Sequence, residues 1–125
     1  MERVTGVGGV FFRATGPSAT LLAWYRDHLG IEPASDFEGT VFRWGDPEGT
    51  TTWAVFPSAT EYFGRSDQAF MINFRVADLD RMLAQLRAGG VEVDPRVEDS
   101  EFGRFGWTTD PEGNRIELWQ PAPGM

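Results

Sequence analysis

The sequence predicts an α+β fold, in which two βαβββ modules combine into one cupped, barrel-like mixed sheet with the helices on its outer face. Three observations carry this reading. A turn-and-strand motif occurs twice; each copy ends a run that reads strand, helix, strand, strand, strand; and each helix has an apolar stripe matched by an apolar sheet face.

The motif is clearest in Asp110-Pro111-Glu112-Gly113-Asn114-Arg115-Ile116-Glu117-Leu118-Trp119-Gln120-Pro121. Asp first, Pro second and Gly fourth suit a type I turn. Alternation then sends Ile116 and Leu118 to one face and Arg115, Glu117 and Trp119 to the other. The earlier copy, Asp46-Pro47-Glu48-Gly49-Thr50-Thr51-Thr52-Trp53-Ala54-Val55-Phe56-Pro57, lies at an offset of 64 (110 − 46) and sets Trp53 where the second copy has Glu117.

Taken in order, Val7 to Ala14 alternates as a strand, with Val10, Phe12 and Ala14 on one face and Gly9, Phe11 and Arg13 on the other. Pro17 opens a helix whose stripe is Leu21, Leu22, Trp24, Tyr25 and Leu29, with Gly30 at C′. A short strand is expected near Ser35 to Phe37, another from Thr40 to Trp44, and a third from Thr51 to Phe56. The polar stretch Ser58 to Gln68 reads as a connector. The pattern then restarts with a strand over Ala69 to Val76, carrying Met71, Asn73 and Arg75 on one face. Asp78 caps a helix bearing Leu79, Met82, Leu83 and Leu86, which Gly89-Gly90 closes. Val91 to Val97 is expected as an edge strand because Pro95 interrupts it. Glu98 to Gly103 is an acidic loop, solvated or acting as a lid, and Arg104 to Thr109 leads into the second turn. The boundaries are one domain over 1–125, with a first module at 7–57, the connector at 58–68 and a second module at 69–121.

The apolar positions Val10, Phe12, Ala14, Ala54, Phe56, Ile72, Phe74, Val76, Ile116 and Leu118 supply the face that the helices cover. The other face, with Trp53, Val55, Met71 and Glu117 among its residues, suits a curved sheet enclosing a ligand.

Composition narrows the function. The chain has 125 residues, 41% of them hydrophobic and 14% aromatic, enough for one buried core. A formal charge of −8 argues against a nucleic-acid partner, which would select a basic footprint. No cysteine is present, so disulfides, thiolate nucleophiles and cysteine metal sites are excluded. Neither a signal peptide nor an apolar run of roughly 18 residues is found, and the expectation is a cytoplasmic protein with no membrane partner.

The candidate ligand-binding residues are Phe11, Arg13, Trp53, Met71, Asn73, Phe105, Trp107, Glu117 and Trp119. The aromatic ones form a cup suited to stacking an apolar or aromatic ligand, with a filled core as the alternative. Glu117 has two readings: a carboxylate paired with Arg13, Arg75 or Arg115, or a catalytic or ligand-anchoring group with a raised pKa. His28, the only histidine, sits in the last turn of its helix, where positive charge is favoured. The Gly8-Gly9 pair lies inside a strand and lacks phosphate-loop spacing; Gly9 leaves room in the cup or marks a bulge.

Three stretches in order, Trp24-Tyr25-Arg26-Asp27-His28-Leu29-Gly30-Ile31, Phe74-Arg75-Val76-Ala77-Asp78-Leu79-Asp80 and Asp110 to Leu118, resemble the vicinal oxygen chelate superfamily. This is the glyoxalase, bleomycin-resistance and extradiol dioxygenase group, and the resemblance covers essentially the whole chain. It implies the glyoxalase/bleomycin-resistance fold, and for the enzymes a divalent metal held by His or Glu from the first and last strand of each module. Carried onto this chain, those positions are Gly9, Trp53, Met71 and Glu117, and Glu117 alone suits a hard or borderline ion. The expectation is therefore no metal and no cofactor, and a homodimer that binds a small apolar or aromatic ligand without turnover. The alternative is a glyoxalase-like or dioxygenase-like enzyme working through Glu117.

Overall fold

The element order is β1 (Val4–Arg13), α1 (Ser18–Leu29), β2 (Gly39–Trp44), β3 (Gly49–Phe56), β4 (Phe70–Val76), α2 (Leu79–Ala88), β5 (Glu98–Ser100), β6 (Gly103–Thr109) and β7 (Arg115–Pro121). The computed structural model describes residues 1–29, 31–44, 49–109 and 113–125, and in α1 the backbone alone at residues 24, 25 and 27–29. The first three residues of each Asp-Pro-Glu-Gly turn, Gly30 and the His28 side chain lie outside the described residues. Gly113 does not, and its φ of 82° is the left-handed value that glycine accepts without strain.

Among the described residues, seven strands form one mixed sheet in the order β2-β3-β1-β4-β7-β6-β5, curled into a half-barrel. β1 pairs with β3 and β4 with β7 in parallel, and α1 and α2 are contained in the two crossovers. The halves join antiparallel along β1 and β4, where Val10 pairs with Ile72 and Phe11 with Met71.

Both helices pack on the outer face, α1 against β3 and α2 against β6 and β7. Asp78 caps α2 as its sequence requires, accepting a bond from the Arg81 N–H at 3.0 Å. Leu79, Met82 and Leu83 are buried against Val76 and Leu118, and each fully buried side chain of this size contributes about 1.5–3 kcal/mol. On α1, Leu22 packs with Ala14 and Val55. Between the helices the outer face of β1–β4 stays open, leaving Val10, Ile72 and Phe70 exposed. No described helix is long and apolar enough to cross a membrane.

Four expectations are corrected. The strand near Ser35 to Phe37 does not form, because the Ala34 N–H donates to the Gly39 carbonyl at 2.8 Å and closes a bend. Val91 to Val97 contributes only a single bridge, Val93 to Thr108. Pro95 lacks an N–H there, and the Asp94 carboxylate takes the Arg96 N–H at 2.9 Å in place of a strand partner. The acidic segment Glu98 to Ser100, expected as loop, pairs with Gly103 to Phe105 in a short hairpin.

The fourth correction concerns which way β3 faces. Its register sets Trp53 beside Val10 and Ala54 beside Phe11, so Trp53 and Val55 look outward and Ala54 and Phe56 look into the cup. Trp53 packs on Phe12 with ring centroids 5.4 Å apart, beside the residues that meet α1. The two copies align in sequence, but the strands that follow them face opposite ways, so that Trp53 looks outward where Glu117 looks into the cup.

Candidate functional site

Three strands present one row of side chains to the inner face. Asn73 of β4 and Trp107 of β6 both pair with Glu117 of β7. Neighbours in register on one face of a sheet are close enough to bond, and these do. The Glu117 carboxylate accepts from Asn73 Nδ2 at 2.7 Å and from Trp107 Nε1 at 3.0 Å. A third donor comes from the segment between the modules, where the Tyr62 hydroxyl bonds to Glu117 Oε2. That segment, expected as a polar connector, also buries Phe63 completely against Phe11, Met71 and Trp107.

Glu117 is 1% exposed, and all three of its described partners are neutral donors. None of the arginines expected to pair with it does so. Arg13 bonds the Ser66 and Arg65 carbonyls, Arg75 bonds the Thr50 carbonyl and lies against Trp44 and Trp119, and Arg115 pairs with Asp94 at 3.1 Å. Burial raises the Glu117 pKa above the usual carboxyl range, and its three hydrogen bonds oppose that only in part. Burial likewise raises the Tyr62 phenol, and the neighbouring Glu117 adds to the effect.

Above this row opens a cavity of about 670 Å³. Of the sequence candidates, Phe11, Asn73, Phe105, Glu117 and Trp119 line it. Phe105 and Trp119, opposite each other in register, stack with ring centroids 5.9 Å apart and planes 6° from parallel. Trp119 is pinned by its Nε1, which donates to the Phe102 carbonyl at 2.9 Å. Met71 and Trp107 lie in the core beside the cavity, Arg13 bonds elsewhere, and Trp53 is on the opposite face. Sequence reasoning missed Phe56, Tyr62 and Phe102, together with Asp36, Glu38 and Glu101 at the mouth. The Phe56 signal was available in the period-two alternation but was assigned the wrong phase. Tyr62 carried no signal, because its neighbours read as a linker.

The donor set does not fit the divalent ion that the resemblance implies. Both Glu117 oxygens are occupied by protein donors, its in-register neighbours are Asn73 and Trp107, and Thr52 and Ala54 hold the positions across the sheet on β3. Among the described residues no three His, Cys, Asp or Glu side chains come together.

Residues 11–118 match the profile of the family described as Glyoxalase/Bleomycin resistance protein/Dioxygenase superfamily. The chain belongs to this superfamily. No curated protein matches it. Solved structures of the same fold include the methylmalonyl-CoA epimerase from Mycobacterium tuberculosis, at 24% identity over 96% of this chain and 90% of that one, with a TM-score of 0.66. A Streptomyces coelicolor methylmalonyl-CoA epimerase variant in complex with 2-nitronate-propionyl-CoA has 16% identity over 98% of both chains and a TM-score of 0.72. A methylmalonyl-CoA epimerase in complex with methylmalonyl-CoA and NH4+ has 18% identity, also over 98% of both, and a TM-score of 0.70. At these identities the likeness to the superfamily's epimerases is one of fold.

Proposed function

We propose that this superfamily member binds a small apolar or aromatic molecule in its cup, without a metal and without turnover. The observation that supports this most directly is the state of Glu117 at the floor. Two protein donors hold one carboxylate oxygen and a third holds the other, which commits most of the lone pairs a general base would use. The walls, among them Phe11, Phe56, Phe105 and Trp119, supply flat apolar surface for a ligand.

The enzymatic alternative rests on the same residue, which is buried against the cavity with a raised pKa. One experiment separates the two. The protein is incubated with methylmalonyl-CoA in D2O, and the α-hydrogen is followed by NMR. The binding reading expects no solvent deuterium to enter; exchange that is lost in Glu117→Gln would establish turnover in its place. In parallel, titration calorimetry with phenylbutanol tests the cup itself. Phe105→Ala removes one stacking face and should weaken binding about fivefold to tenfold, in line with about 1 kcal/mol for an aromatic pair.

A cytoplasmic homodimer completes the proposal. The exposed apolar residues on the outer face of β1–β4 are the surface we assign to a second copy, since an uncovered apolar strip between two helices is costly in water. The strip is also suited to self-pairing, because strand β1 of one module and β4 of the other contribute alike to it.

A further inference from the structure

We infer that the ligand of the cup is a hydrophobic organic cation, with an apolar body for the aromatic walls and a protonated amine for the mouth. This rests on the ligand-binding reading above and specifies its chemical class.

Among the described residues that line the cavity, the charges are of one sign. Asp36 and Glu38, in the bend before β2, and Glu101, in the turn of the β5–β6 hairpin, are exposed residues that line it. No Lys, Arg or His is among the described lining residues. All eleven basic residues of the chain are arginine, and those nearest the cup are engaged elsewhere: Arg13 with backbone carbonyls, Arg75 against Trp44, and Arg96 and Arg115 against Trp107.

Hydrogen-bonding capacity points the same way. Among the described residues, the side chains with N–H or O–H groups at the cavity each make a bond within the protein, the Tyr62 hydroxyl and one N–H of Asn73 to Glu117 and Trp119 to the Phe102 carbonyl. The Thr52 hydroxyl, which can donate or accept, is the exception. Acceptors remain at the mouth, in the carboxylates of Asp36, Glu38 and Glu101, of which Glu38 already accepts one bond, from the Ser18 hydroxyl at 2.9 Å. A ligand that bonds at the mouth of this cavity therefore does so as a donor. A protonated amine is such a donor, and it is attracted both to these carboxylates and to the faces of the aromatic walls. An anion would meet like charge and little spare donor capacity beyond the Thr52 hydroxyl. By the same reasoning the cup is a poor match for the phosphates of a coenzyme A ester.

Titration calorimetry with three probes sharing one body provides the test: phenylbutylamine, phenylbutanol and phenylbutyrate, each at low and high salt. The amine should bind about tenfold tighter than the alcohol or better, a difference of about 1.4 kcal/mol, and the carboxylate weakest. The preference should shrink at high salt, and it should be lost when Asp36→Asn, Glu38→Gln and Glu101→Gln are combined. An alcohol that binds as tightly as the amine overturns the cation inference and leaves the binding reading intact. So does a preference unchanged in the combined variant. Failure of all three probes to bind overturns both.

Discussion

At the scale of single residues, Glu117 carries the clearest consequence. Its folded-state pKa is raised, so the folded protein holds that proton more tightly than the unfolded chain does. The associated stability is complete below the unfolded value, about 4.3, and is lost as the pH rises through the folded-state value. Glu117→Gln is neutral at every pH, and the Asn73 amide can turn over to accept from it. Chemical denaturation across a pH series should therefore show the variant gaining on the wild type as pH rises; a difference that stays flat would show that the carboxyl titrates normally. Gly8 sits where the β1–β4 register shifts, between Val7 and Gly9. A Cβ there would meet the Asn73 side chain and come within 2.9 Å of Trp119 Cε3. Gly8→Ala should cost about 1–3 kcal/mol by overpacking, measured by the same denaturation, and should disturb the Asn73–Glu117 bond. Full stability in this variant would mean that the two side chains have room to move.

At the scale of elements, helix α2 behaves as an independent consequence of its own sequence. Asp78 accepts the Arg81 N–H, and Leu79, Met82 and Leu83 fall on one buried stripe. Asp78→Ala should cost about 1 kcal/mol, read as a lower denaturation midpoint with an unchanged slope. Strand β3 is the opposite case. Its alternation is as regular as that of β7, yet alternation fixes only which residues share a face and leaves open which face is inward. That choice came from pairing with β1, which puts Ala54 beside Phe11. The segment between the modules likewise looks polar in sequence, and it becomes part of the site because Tyr62 and Phe63 reach the inner face.

At the scale of the whole molecule, the two halves meet along β1 and β4, and neither helix covers that seam on the outside. Ile72 pairs directly with Val10, and both are exposed there. If the seam is where a second copy sits, Ile72→Glu should convert a dimer to a monomer in size-exclusion chromatography with light scattering while leaving binding in the cup, on the other face, in place. A dimer that survives the substitution would move the interface elsewhere.

The sequence by itself determined the parts that depend on neighbours along the chain: the strand periodicities, the α2 cap and stripe, and the alternation that places Glu117 opposite the helix-covered face. It also carried the resemblance that named the superfamily. Only the tertiary structure decided the inward face of β3, the donors around Glu117, and the acids at the mouth of the cup. Tyr62 and Asn73 lie 55 and 44 residues from Glu117 in the chain. No local period encodes a bond across such a separation, because register between distant strands sets it, and a shift of one residue turns every side chain to the other face.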